Sequence, residues 1–202
     1  LVCVVVTLSF FSNVASAITV PLYSKFTIAE WEPEFRAMID DNYARLFQPK
    51  LTNDEARRLR GLRFKFSVDP KKVLFEFSSS PNGMVRMPVA SLLFLKDLAN
   101  AQAWLQLSDY SAQPVLDYLA IIRQGRLGEW PEAERLPLTA LGIPAKELTS
   151  ERVLARRNDI LGKTILFILA HELGHVVQDF SAQADCQLKK ICDYQELQKS
   201  ES

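Results

Sequence analysis

The spacing of apolar residues changes period along this chain, and each change marks an element. Over residues 25–47, Phe35, Met38, Ile39, Tyr43 and Leu46 recur at intervals of three and four, with Pro33 suited to a first helical turn, which predicts an amphipathic helix. From residue 62 the interval falls to two. Leu62, Phe64, Phe66 and Val68 alternate with Arg63, Lys65 and Ser67, the pattern of a strand with one buried face. Val73 to Phe77 reads as a second strand after Asp69-Pro70, and Met84 to Met87 as a third after the turn signal Ser80-Pro-Asn-Gly83. A small sheet of three antiparallel strands is therefore expected. Pro88 donates no ladder hydrogen bond, so the third strand ends there or lies at an edge.

Helical spacing returns after the strands. Ser91 reads as an N-cap ahead of Leu92, Leu95, Leu98, Ala99, Ala103 and Trp104, a helix to Leu107, with a shorter one from Pro114 to Gln124. Pro131, Pro137, Pro144, Gly125, Gly128 and Gly142 punctuate residues 125–148 as a connection packed over the surface. From Thr149 or Ser150 a long helical pattern runs through Phe180, with a break expected near Phe180 and Ser181. The fold class is α+β, and 202 residues with 48% hydrophobic and 24% charged composition suit a single globular domain. Twenty-four Lys and Arg balance twenty-four Asp and Glu, so nucleic acid is not an expected partner.

The N-terminal run from Leu1 to Ser12 has the length of a signal-peptide apolar core and falls short of the roughly 20 residues of a membrane span. Ala15-Ser16-Ala17 then supplies a small-x-small cleavage pattern. The expectation is a signal peptide over residues 1–17 lacking its positive n-region, export to the periplasm or secretion, and no stable membrane span once that segment is cleaved. Cleavage removes Cys3 and leaves Cys186 and Cys192, which in an oxidising compartment predict a local disulfide and in the cytosol free thiols or metal ligands.

The chemistry concentrates in His171-Glu172-Leu173-Gly174-His175, an HExxH motif containing the two histidines of the chain. On a helix the i, i+4 spacing puts both imidazoles on one face, about 5.4 Å of rise apart, where they can converge on one Zn²⁺. Glu172 is turned by about 100°, beside the ion and not on it, positioned to take a proton from water. A third histidine ligand is excluded by composition. Asp179 lies eight residues, about 12 Å, beyond His171 on the same helix, too far to share its ion. The candidates left after the expected break are Asp185, Cys186, Cys192, Asp193, Glu196 and Glu201.

Ile168-Leu-Ala-His-Glu-Leu-Gly-His-Val-Val177 resembles the active-site helix of gluzincin zinc metallopeptidases, in particular relatives of the CAAX prenyl endopeptidases. Arg86 to Leu98 resembles a strand-to-helix segment of exported bacterial proteins of that sort. The resemblance implies two His ligands and a third from the first Glu of a Glu-x-x-Ala-Asp pattern. Ser181-Ala-Gln-Ala-Asp185 carries the Ala-Asp but has Ser181 in the ligand position, so Glu201 is the expected third ligand, with the domain over residues 18–202 stopping inside its own active site. Glu196, twenty-one residues beyond His175, is the alternative, at a separation close to that of thermolysin-like enzymes but without their preceding Asn. The implied function is a zinc-dependent metalloendopeptidase with one zinc ion, acting on a peptide or protein substrate laid along an edge strand, for which Met84 to Met87 is the candidate. The competing expectation is a zinc-binding pseudoenzyme or binding module without hydrolytic activity.

Overall fold

A computed structural model describes the backbone of residues 21–70, 74–80 and 82–200, and the side chains of these as far as Gln178. Residues 1–17, Ile18 and Glu201, on which expectations about export and ligation fall, lie outside the described residues. Among the described residues, six α-helices and one three-stranded sheet make an α+β fold.

Helix α1 spans Lys25–Asn42, capped by the Ser24 hydroxyl, which accepts from the Thr27 amide at 3.0 Å, and buries Ile28, Phe35 and Ile39. Pro33 sits inside this helix and not in its first turn. The helix gives way to a π-turn at Tyr43–Phe47. Helix α2, Asn53–Arg58, opens with a capping box between Thr52 and Glu55.

Strand β1 is Arg63–Ser67, β2 only Ser78–Ser79, and β3 Met84–Pro88, in the order β1-β3-β2. The sheet is mixed, where three antiparallel strands were expected: β1 runs parallel to β3 in the register Arg63↔Met84 to Ser67↔Pro88, while β2 is antiparallel to it. The tight hairpin forms only between β2 and β3. There Gly83 takes φ +78°, and a Cβ on it would come within 3.1 Å of the Gly61 carbonyl oxygen, so glycine suits both the turn and the close approach of the two chains. Met84 to Met87 is thus the central strand and not an edge, because β1 and β2 occupy both its sides and are the two edges. Of the segment expected as the second strand, residues 74–77 form a turn and an irregular stretch. Phe75 adopts φ +68°, which no strand accommodates, and its amide donates to the hydroxyl of buried Ser91 at 2.9 Å.

Helix α3, Val89–Leu107, follows β3 without a loop and begins two residues before Ser91, which binds Phe75 instead of capping the helix. It is buried on nearly all sides, with Phe94 between Phe75 and Tyr118 at ring-centroid distances of 5.3 and 6.1 Å. Helix α4 is Gln113–Arg123 and the short α5 Pro137–Ala140, set among 3-10 turns in the connection expected there.

Helix α6, Glu151–Ser200, starts at Ser150, whose hydroxyl accepts from the Val153 amide at 3.3 Å. Leu161, Ile165, Ile168, Leu169, Leu173 and Val176 recur at intervals of three and four and are buried, the stripe by which α6 packs on α3. Within Glu151–Gln178 mean hydropathy reaches 1.5 and half of the most apolar window is buried, so much of that apolar surface has protein partners. The helix passes through Phe180 and Ser181 without the expected break, since no Gly or Pro follows Gly174. A helical backbone across residues 186–192 sets the Cα atoms of Cys186 and Cys192 about 10 Å apart by helix geometry, beyond the roughly 7 Å limit of a disulfide. The expected bridge therefore does not fit this backbone.

Candidate metal centre

The HExxH segment lies where α6 passes β2 and α2. His171 and His175 are exposed, and their Nε2 atoms stand 3.1 Å apart with the rings nearly perpendicular, at 87°. Two nitrogen lone pairs repel at that distance unless a proton or cation lies between them. A tetrahedral Zn²⁺ with Zn–N bonds of about 2.05 Å separates two ligand nitrogens by about 3.3 Å, so the pair fits one ion with a shift of a few tenths of an ångström. Phe167, one turn earlier, stacks on His171 at 6.4 Å between centroids and 15° between planes, which limits rotation of that ring.

Glu172, about 60° around the helix from His175, turns into the interior. It is 5% exposed and belongs to the same buried stripe as Leu169, Leu173 and Val176. Burial pushes its pKa up, opposed by the Ser79 side chain of β2 and by the charge of His171 and then His175. The residue next to two candidate ligands is thus buried in the interior, with the imidazoles close enough to be felt electrostatically.

Two further contacts fix this end of α6. Arg58 of α2 donates to the Val177 carbonyl oxygen at 3.0 Å and pairs with Asp54 at 2.8 Å, tying α2 to the helix just past His175. In β2, Ser80 N–H donates to the Met84 carbonyl at 3.0 Å, so by antiparallel alternation Ser79, paired with Val85, is a non-hydrogen-bonded position whose backbone N–H and C=O point away from β3. One free edge of the sheet therefore lies at Ser79, on the strand that α6 passes.

Sequence reasoning brought His171, Glu172 and His175 together, and the helix does so as the spacing requires. It missed Ser79 and Arg58. Neither carries a sequence signal: Ser79 belongs to a polar triplet, Ser78-Ser-Ser80, that interrupts the apolar pattern, and Arg58 is one of three arginines in four residues. Among the described residues, no group of three or more His, Cys, Asp or Glu side chains is gathered to hold an ion. Asp185, Cys186, Cys192, Asp193 and Glu196 lie on the α6 backbone beyond the described side chains. A continuous helix separates Glu196 from His175 by roughly 31 Å of rise, which removes it as a partner for the same ion. Compared with known protein families, characterised proteins and solved structures, the chain matches none.

Proposed function

We propose that this protein is a zinc-dependent metallopeptidase in which His171 and His175 hold the metal and Glu172 is the general base. The observation that carries this reading is the 3.1 Å convergence of the two imidazole nitrogens beside a buried carboxylate. When bound, Zn²⁺ supplies a Lewis acid that polarises a peptide carbonyl and acidifies a water molecule. Glu172 takes the proton of the attacking water and passes it to the leaving amine. The outward backbone groups of Ser79 pair with an extended substrate, placing its scissile bond over the histidine pair by strand addition to the β2 edge. Glu201 is not carried into this proposal as a ligand, because its neighbour Ser200 ends the continuous α6 about 37 Å of rise beyond His175; export rests on residues 1–17 alone.

A second reading, a zinc-binding module without hydrolytic activity, is favoured by one fact: only two candidate donors converge among the described residues. One experiment separates the two. Protein purified with zinc is assayed for metal content and against a library of quenched fluorogenic peptides, alongside Glu172→Gln. The peptidase reading expects one zinc in both proteins and cleavage by the wild type only. Zinc uptake without cleavage supports the binding module, and cleavage retained by Glu172→Gln removes Glu172 as the base.

A further inference from the structure

We propose that the β1 edge of the sheet, together with the cationic outer face beside it, is a docking site for an extended acidic peptide segment of a partner protein. The site lies across β3 from β2, and it stands whether or not the protein hydrolyses peptides.

The backbone comes first. Arg63 N–H donates to the Gly83 carbonyl at 2.9 Å, and in the parallel register Arg63↔Met84 to Ser67↔Pro88 this assigns Arg63, Lys65 and Ser67 to the ladder with β3. The N–H and C=O groups of Phe64 and Phe66 therefore point to the opposite side, where no described residue forms a hydrogen bond with them. Their rings do not close that side. Phe64 meets Tyr43 edge-on at 5.7 Å between centroids, and Phe66 lies 4.5 Å from the Arg36 guanidinium of α1. Both rings share the face of their register partners Val85 and Met87, which is the buried face of the sheet. Two donors and two acceptors on alternate residues are left at the edge, the pattern to which an extended chain adds as a further strand.

The side chains of the other face set the chemistry of the partner. Arg63, Lys65 and Arg86 are exposed there, with Lys65 in register with Arg86 on the adjacent strand. Strands β1, β2 and β3 contain no Asp or Glu, and none of the three cations enters an ion pair among the described residues. Like charges directly across two strands repel, so this face lacks negative charge. On a strand added to β1, the residues opposite Arg63 and Lys65 share their face, with Cβ atoms about 5 Å away, so carboxylates at alternate positions pair with both. The intervening residues meet Phe64, Phe66 and the exposed Val68 that follows in the same alternation. An acidic–apolar alternation therefore matches the edge. A second copy of the chain is the wrong occupant: antiparallel pairing of β1 with itself sets Lys65 opposite Lys65 or Arg63, and in-register parallel pairing sets each cation opposite its equivalent. A lipid or nucleic-acid surface reaches the three cations but leaves the outward backbone groups of Phe64 and Phe66 unused, so the open edge favours a peptide.

The probe is a short fluorescein-labelled peptide alternating Glu and Val, and its binding to the full chain is read by fluorescence anisotropy. Wild type should bind it, and Arg63→Glu/Lys65→Glu should weaken binding by at least about tenfold, with Arg86→Glu, one strand further in, weakening it less. N-methylation of the valines removes the N–H groups that face β1 in antiparallel addition, and N-methylation of the glutamates those that face it in parallel addition. At least one of these two peptides should bind about tenfold more weakly than the parent. Chelation by EDTA should change nothing, since β2 and not β1 borders the histidine pair. The proposal is overturned if wild type does not bind the parent peptide, if the double variant binds it equally, or if neither N-methylation matters. Loss of binding on chelation would return the peptide to the metal centre and also overturn it. Tighter binding of phosphatidylglycerol vesicles or of a single-stranded oligonucleotide, lost in the same double variant, would make the face a general polyanion surface and remove the peptide as its occupant. A dimer in analytical ultracentrifugation that the double variant abolishes would give the edge to a second copy instead. If the double variant does not fold by circular dichroism, Arg63→Gln/Lys65→Gln takes its place, with an expected loss of about threefold or more; equal binding by that variant overturns the proposal in the same way.

Discussion

The two faces of α6 at the HExxH motif are built by different forces. The inward face, Leu169, Glu172, Leu173 and Val176, is 5% exposed or less and is determined by packing against α3 and β2. The outward face, His171 and His175, is exposed, and little beyond Phe167 and the helix backbone shapes it. The difference separates two tasks. A base must point in one direction and is held by the interior, whereas ligands that an ion can draw together need only the correct spacing on a rigid helix. Stability should therefore reside on one face and metal affinity on the other.

The largest effect expected of this division is catalytic. Glu172→Gln should reduce kcat by about 100- to 10,000-fold, the usual contribution of a general base, while zinc content measured by atomic absorption stays near one per chain. Loss of zinc in that variant would place Glu172 on the ion and blur the two faces. Next, Leu169→Ala, at a fully buried position, should destabilise the fold by about 2–5 kcal/mol in denaturant unfolding. A cost under about 1 kcal/mol would mean that the α3–α6 packing is looser than the burial of Leu169 implies.

A smaller effect concerns pH and lies away from the motif. Burial raises the Asp97 pKa, although the Tyr23 hydroxyl donates to its Oδ2 at 2.8 Å and Lys96 lies near; both oppose the rise. The folded state then holds the Asp97 proton more tightly than the unfolded chain. This stabilisation is complete below the ordinary aspartate range and is lost as pH rises through the elevated value. Subtracting the Asp97→Asn stability curve from that of the wild type should leave a difference that falls across this window; a difference that rises with pH would refute the direction of the shift. The smallest effect sharpens the comparison from the outward side: in metal-free protein, His171→Ala and His175→Ala should each change stability by no more than about 0.5 kcal/mol, yet each should abolish zinc uptake. A large loss of metal-free stability would give the outward face a structural role as well.

Legibility in the sequence followed the range of the interactions. The helix carrying the motif, its start at Ser150, the β1 strand and the Gly83 turn were all readable, because each depends on residues a few positions apart. Pro33 and Ser91 were misplaced for the opposite reason: the conformation around Pro33 is set by α1 packing through Phe35 and Ile39, and the partner of Ser91 lies sixteen residues away. The parallel pairing of β1 with β3 could not be read from alternation, which is identical for either strand direction.

What the sequence determined by itself is the α+β class, the i, i+4 histidine pair and the offset of Glu172 from it, since a helix converts spacing directly into angle and rise. Only the tertiary structure decided that β3 is central, that β2 is an edge, and that this edge carries Ser79 alongside α6. The path of the chain into β2 passes through the Phe75 kink held by Ser91, and it leaves no periodic trace in the sequence, because the residues that create it are neighbours in space and not along the chain.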